Sequence, residues 1–159
     1  MSKYSFIVSN SSLPEIDLTG MVKMKYGEYK KLNIQPKNES IINLLDDEDD
    51  EIEILYVADP AKMHDLKIIL CTNRPYGLEE YIKKEYIYWM EGSPVKASWN
   101  EQLYDYLKGV QHVKDELEIW SIWFGDGPQE IEDIKLRLLD LKLSDLELLK
   151  RINYCIKFE

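Results

Sequence analysis

Hydrophobic residues occupy both sets of alternate positions along most of the stretch 117–127. From Ile119 to Phe124 only Ser121 interrupts a run of β-branched and aromatic residues, and the run stops at Gly125-Asp126-Gly127. A strand covered on both faces has this pattern, and its residue types favour a strand over the alternative, a buried helix segment. The stretch therefore predicts the central strand of a sheet.

Hydrophobic patterning predicts further strands over 4–10, 52–58, 85–91, 134–138 and 152–158. Another strand, apolar on both faces, is predicted over 66–72, whereas 21–25 fits a strand or a loop. Short helices are predicted over 26–32, 40–45 and 78–84, with Ser40 as the N-cap of the second. The best amphipathic helix is predicted over 98–110, where Ser98 and Glu101 form a capping box, and a second box at Ser144 and Glu147 opens a helix through 149.

These elements predict a single α+β domain over residues 1–159. Its sheet is mixed and largely antiparallel, with about six or seven strands and three or four short helices. The length, 159 residues, is that of one ordinary domain, and the hydrophobic content of 45% supplies a packed core.

The charge of the chain is concentrated in one segment. The formal net charge is −10, and the segment 39–65 contributes −9 through ten acids and one base. Such a negative patch opposes binding to nucleic acid or to an anionic membrane and favours a basic protein partner or a cation.

Six consecutive acids form the centre of that segment: Asp46, Asp47, Glu48, Asp49, Asp50 and Glu51. Their mutual repulsion predicts an exposed loop without regular structure. The run lacks the glycine and the spaced final glutamate of a calcium-binding EF-hand loop, so no metal site is predicted. Two interpretations remain, a solvated surface loop and a docking surface for a basic protein, and the energetic cost of keeping six like charges together favours docking.

Aromatic residues supply the other candidate contacts. Tyr88 and Trp99 are candidate anchors of a protein interface, with burial in the core as the alternative. The strands that end near 92 and 127 both finish with aromatic residues, a carboxylate and a glycine. If these strands are neighbours, Glu91 and Asp126 lie at one rim of the sheet, where two carboxylates beside aromatic rings suit a hydrolase acting on a carbohydrate. Ordinary turns are the alternative.

Catalytic signatures give no support for an enzyme. The chain has no G-x-S-x-G, no glycine-rich phosphate loop, no H-E-x-x-H and no C-x-x-C, and we expect no cofactor. Cys71 and Cys155 lie in apolar runs and are predicted to be buried free thiols in a reducing cytoplasm. No apolar run approaches the roughly 18 residues of a membrane span, and no export signal is evident.

Three short stretches resemble a known group of proteins: Tyr86-Ile87-Tyr88-Trp89-Met90-Glu91-Gly92, residues 117–126, and Cys155-Ile156-Lys157-Phe158. Together they resemble small single-domain cytoplasmic proteins of Gram-positive bacteria that are encoded near polymorphic toxins and treated as immunity proteins. This resemblance implies a non-enzymatic inhibitor that binds one cognate toxin domain. Because toxin domains of this kind are commonly basic, that role agrees with the acidic segment.

Overall fold

The computed structural model describes residues 2–32, 45, 47–113 and 116–159. The predicted helix over 40–45 lies, apart from Leu45, outside the described residues. Contacts along the chain define two compact units. The sheet unit contains residues 1–19 and 64–159, and the hairpin unit contains residues 20–63. The expectation of one domain stays a prediction.

Within the described residues the strands are β1 Ser2–Ser9, β2 Ile16–Asp17, β3 Met21–Lys25, β4 Glu53–Val57, β5 Lys67–Leu70, β6 Tyr86–Glu91, β7 Glu118–Phe124, β8 Glu132–Leu136 and β9 Tyr154–Phe158. Seven of them form one sheet in the order β2-β5-β6-β1-β7-β9-β8. Neighbours in this sheet are antiparallel except β8 and β9, which are parallel. The predicted α+β class with a mixed, largely antiparallel sheet is confirmed.

Strand β7 lies inside the sheet, between β1 and β9, as its two-faced apolar pattern predicts. Ile119 belongs to the core on one face of the sheet, whereas Trp120 and Ile122 belong to the core on the other face. In the register of β1 and β7, Phe6 lies opposite Trp120 and Ile7 lies opposite Ile119. Both faces of this strand are therefore covered, and its hydrogen bonds are made on both edges.

Helix α2, Ala97–Gly109, covers the first face of the sheet with Leu103, Tyr106 and Leu107. The predicted helix is thus confirmed, but the capping box at Ser98 is wrong. The N-cap is Lys96, whose side chain makes no capping hydrogen bond. Instead Asp65, which precedes β5, reaches the first turn of the helix and accepts a 3.4 Å hydrogen bond from the Ser98 hydroxyl.

Apart from α2 and the short α-helix α1, Tyr26–Lys30, the helical segments of the described chain are 3₁₀ helices at Asp47–Asp49, Pro60–Lys62, Leu78–Glu80, Leu138–Asp140 and Leu143–Lys150. The predicted cap at Ser144 is wrong, because Lys142 is the N-cap of the last segment and its backbone N–H donates to Asp145 at 2.8 Å. The helix predicted over 78–84 forms only one 3₁₀ turn. None of the helices in the described parts of the chain has the length and apolar character needed to cross a bilayer.

The segment 71–82 covers part of the second face of the sheet. Cys71, Leu78 and Ile82 from this segment are buried against Phe6 and Trp120. Around this core lie four partly buried rings, Tyr4, Tyr81, Trp89 and Phe124. The second face therefore ends in an aromatic border that remains in contact with solvent.

The hairpin unit pairs β3 with β4 as an antiparallel ladder in which Val22 lies opposite Tyr56. The short helix α1, Tyr26–Lys30, follows β3 directly, as the sequence predicts. Tyr29 is buried and its ring lies 5.8 Å from that of Tyr56. Aromatic packing between the helix and the hairpin forms the centre of this unit.

Candidate functional site

The predicted acidic docking surface lies in the hairpin unit. Asp46 is outside the described residues, and Asp47 begins the 3₁₀ turn Asp47–Asp49, so the prediction of a loop without regular structure is wrong for this turn. The backbone carbonyl of Asp50 accepts a 3.0 Å hydrogen bond from Gly27, which holds the turn against α1. Glu48, Asp50 and Glu51 are exposed. Three of the six carboxylates that the sequence assigns to docking are therefore accessible, and Asp49 is only partly exposed.

Lysines of β3 and α1 lie against this acidic turn. Lys25 forms an ion pair with Glu51, and Lys30 forms one with Asp50. The hydrogen bond and the charge of Glu51 raise the pKa of Lys25 above its ordinary value. These contacts offset part of the negative charge that the sequence places on the run.

Lysines elsewhere in the hairpin unit offset more of the negative charge of the acidic run. Residues 20–63 carry ten acids and six bases, so the local excess is smaller than the −9 of segment 39–65 indicates. Asp65, counted in that segment, belongs to the sheet unit, where it is buried and paired with Lys96. The net negative charge of the hairpin unit is therefore smaller than the charge of segment 39–65 in the sequence predicts.

The two predicted aromatic anchors are in the core. Trp99 is 0% exposed and Tyr88 is 3% exposed. The indole of Trp99 donates to the backbone carbonyl of Glu91, and the Tyr88 hydroxyl accepts a 3.0 Å hydrogen bond from the backbone of Leu13. Because both polar groups are satisfied internally, the prediction that these side chains are exposed is wrong, and the alternative of core burial is confirmed.

The two predicted rim carboxylates are not neighbours. Strand β1 lies between β6 and β7, so two strand spacings, roughly 10 Å, separate the strand ends that carry them. Glu91 forms a 3.7 Å ion pair with Lys67, and Asp126 accepts a 3.4 Å hydrogen bond from the indole of Trp123. The idea that their strands lie side by side is wrong, and each carboxylate has its own partner.

Glu91 and Asp126 also lie at different cavities. Glu91 lines a cavity of about 460 Å³ together with Lys3 and Trp89. Burial lowers the pKa of Lys3, and its ammonium donates a 2.9 Å hydrogen bond to the carbonyl of Leu149. This hydrogen bond favours a structural role for Lys3 at the N-terminal end of β1.

A second cavity, which we call the β7 cleft, has a volume of about 400 Å³ and lies where β7 ends. Its lining is mostly aromatic and glycine, with one carboxylate: Tyr76, Gly77, Glu80, Tyr81, Trp123, Phe124, Gly125, Gly127 and Pro128. Tyr76 is 97% exposed. Asp126 lies in the turn between the two lining glycines, and it is the one predicted site residue found beside this cleft.

Sequence reasoning missed this cleft because its walls come from two distant segments. Tyr76 belongs to a loop, and the helical spacing of Leu78, Tyr81 and Ile82 predicts a short helix and not the wall of a cleft. The local signal is the tyrosine between proline and glycine in Pro75-Tyr76-Gly77, because proline and glycine favour turns and turns lie at the surface.

Both cysteines are free and buried, as the sequence predicts. Burial raises the pKa of Cys155 to about 12 and also raises the pKa of Cys71. A thiol with a raised pKa is a poor nucleophile because the thiolate is the reactive form. Among the described residues, no group of three or more histidine, cysteine, aspartate or glutamate side chains is placed to hold a metal ion.

Comparisons with protein-family models, with curated proteins and with solved structures gave no match.

Proposed function

We propose that this protein is a non-enzymatic binding protein that docks onto a basic protein partner. We further propose that it neutralises this partner in the cytoplasm, as an inhibitor of the immunity-protein type. The observation that carries the proposal is the exposure of Glu48, Asp50 and Glu51 around one turn of the hairpin unit. Exposed carboxylates grouped in this way accelerate the encounter with a basic protein and orient it on the surface.

The ion pairs at this surface favour exchange with a partner over a fixed structural role. Asp50 and Glu51 are each about half exposed or more at the side chain, 50% and 84%, and ion pairs in such exposed positions contribute little to stability. An arginine binds a carboxylate through two parallel hydrogen bonds, whereas a lysine is a single point charge. A partner's arginine can therefore displace Lys25 or Lys30 at little energetic cost.

The net charge of the whole chain supports the same partner class. At −10, the protein repels nucleic acid and anionic membranes over a distance of about one Debye length, roughly 8 Å at physiological salt. The same charge attracts a basic protein at short range, and the exposed turn then supplies local contacts. Binding of this kind weakens as salt is added, which gives the proposal a direct signature.

The proposal is tested by affinity capture from a lysate of the source organism, with wild type compared with the triple variant Glu48→Gln, Asp50→Asn, Glu51→Gln. We expect wild type to retain a basic protein that moderate salt releases, and the variant to bind it at least about tenfold more weakly, as measured by calorimetry on the identified partner.

A matched control removes the same charge elsewhere. Glu85, Glu101 and Asp105 are exposed acids of the sheet unit, and their triple amide variant has the same net charge as the test variant. We expect the control to bind within about twofold of wild type. If both variants weakened partner binding equally, net charge alone would explain the effect. If the test variant retained the partner as well as wild type does, the acidic turn would not be the binding surface.

A further inference from the structure

The β7 cleft joins aromatic walls to negative charge in the sheet unit, away from the residues that carry the proposed function along the chain. Tyr81 and Phe124 form its corner, with ring centroids 6.2 Å apart and ring planes at 87°. Both rings are partly exposed and line the cleft, and the faces of aromatic rings carry negative potential. Such a corner attracts a cation.

The corner is held in place by the surrounding fold. The Tyr81 hydroxyl accepts a 2.9 Å hydrogen bond from the backbone of Gln129. Phe124 packs against Tyr4 with ring centroids 5.9 Å apart. The backbone N–H of Trp123 donates to the side chain of Asn153 at 3.0 Å. These contacts orient the walls before any ligand arrives, which lowers the entropic cost of binding.

Charge in the cleft has one sign. Glu80 lines the space and is exposed, and the exposed Asp126 lies at the turn that closes its end. Among the described residues that line this cleft, none is a lysine, arginine or histidine. The cleft is therefore complementary to a positively charged group, and its aromatic walls suit the flat or alkyl part of the same group.

Tyr76 lines the cleft on its solvent side. At 97% exposure it makes almost no contact within the chain, although a ring of this size normally buries much of its area. Tyrosine is enriched among the residues that dominate protein interfaces. Its place at the mouth of the cleft fits a ring that closes over an incoming side chain.

We propose that the β7 cleft binds a lysine or arginine side chain presented by a protein partner. The identification of that partner as a basic protein rests on the proposed function, whereas the recognition of the cationic group rests on the cleft alone. Tyr76 and Tyr81 contact the cation through their rings, and Glu80 balances its charge. The cleft and the acidic turn are thus two separate negative surfaces, one in each unit of the chain.

The test uses the full chain and a defined probe, Nα-acetyl-arginine methylamide, with the uncharged citrulline analogue as its control. Nuclear magnetic resonance follows the indole N–H signal of Trp123, assigned by comparison with Trp123→Phe. We expect a saturable shift of this signal with the arginine probe and none with the citrulline probe. A saturable response to both probes alike, or to neither, would overturn the proposal.

Two variants test whether Tyr76 and Glu80 contribute to binding of the probe. Tyr76→Ala removes a side chain that packs against almost nothing, and Glu80→Gln removes the lining charge, so both leave the fold intact. We expect each to weaken probe binding about threefold. Val95→Ala, at a residue 80% exposed outside the cleft, is the matched control and leaves binding unchanged. Unchanged binding in both cleft variants would overturn the proposal, as would a saturable response to methyl β-glucoside in place of the arginine probe.

The two proposals fail separately. The triple amide variant of Glu48, Asp50 and Glu51 should bind the arginine probe as wild type does. If the probe binds normally while partner capture is insensitive to that variant, the cleft proposal stands and the acidic turn is not the docking surface. If the variant loses the partner but the probe gives no saturable shift with wild type, the cleft proposal is overturned and the proposed function stands.

Discussion

The indole nitrogen of Trp99 donates a 2.9 Å hydrogen bond to the backbone carbonyl of Glu91. This bond connects the first turn of α2 to the last residue of β6. Trp99 is also among the largest side chains that are completely buried. Its removal therefore affects both packing and a backbone acceptor.

We expect Trp99→Phe to lower the free energy of unfolding by about 2–4 kcal/mol, because it deletes part of a buried ring system and leaves the carbonyl of Glu91 without its donor. Urea denaturation followed by circular dichroism measures this change. The half-buried Trp123 provides the comparison, and Trp123→Phe should lower stability by less than about 1 kcal/mol. Equal effects of the two substitutions would contradict the burial of Trp99 as the cause.

Gly92 lies directly against the same tryptophan. A Cβ atom at this position would come within 2.5 Å of the carbonyl oxygen of Asp65 and 2.7 Å of the Trp99 ring, and φ is +106°. We expect Gly92→Ala to lower the free energy of unfolding by about 3 kcal/mol, from steric overlap together with backbone strain. Gly77 has a φ of +85° with open space around it, so Gly77→Ala isolates the strain and should be clearly milder in the same urea experiment.

Asp65 makes stability depend on pH. A hydrogen bond from Lys96 is the largest influence that holds the pKa of this carboxyl below its ordinary value, against the opposing effect of burial. A group with a lowered folded-state pKa stabilises the fold above its unfolded-state pKa, about 3.9 for aspartate, and this stabilisation is lost as pH falls through the lower folded-state value.

We therefore expect Asp65→Asn to lower the free energy of unfolding by about 1–3 kcal/mol at pH 7. The difference from wild type should stay constant down to about pH 5 and shrink below about pH 4. Urea titrations at a series of pH values measure it. A difference that is the same at pH 3 and pH 7 would show that the charge of Asp65 is not its cause.

The thiols provide a probe of the intact core. Cys155 is 0% exposed, and burial raises its pKa to about 12, so very little thiolate is present at pH 8. We expect neither Cys155 nor Cys71 to react with a thiol-specific disulfide reagent within minutes in the native protein, and both to react at once in denaturant. Prompt reaction of one thiol in native protein, assigned by Cys71→Ser and Cys155→Ser, would show that the face of the sheet around it opens readily.

The elements of the sheet were accessible from the sequence because side-chain alternation is a local property. Strand β7 has apolar residues on both faces, and that pattern alone places it inside a sheet. The order of strands depends on which distant segments pair, and the similar endings at 92 and 127 gave a false indication of adjacency. What these endings share is their direction, because β6 and β7 are both antiparallel to β1.

Functional residues were harder to predict for a related reason. Nothing local distinguishes the buried Trp99 from the half-buried Trp123, since exposure is decided by what the rest of the chain places over each ring. The lysines that compensate the acidic turn come from β3 and α1, outside the acidic run. The β7 cleft likewise exists only once residues 76–81 lie beside the end of β7.

The position of β1 between β6 and β7 also bears on how the chain reaches its native state. Phe6 pairs with Trp89 on one side and with Trp120 on the other, so both partners emerge from the ribosome long after β1 itself. Pairings so distant along the chain give slow folding, in the range of about milliseconds to seconds. During that interval Phe6, Ile7 and Val8 are part of an exposed apolar segment, which is the kind of segment that chaperones bind and that aggregation begins from.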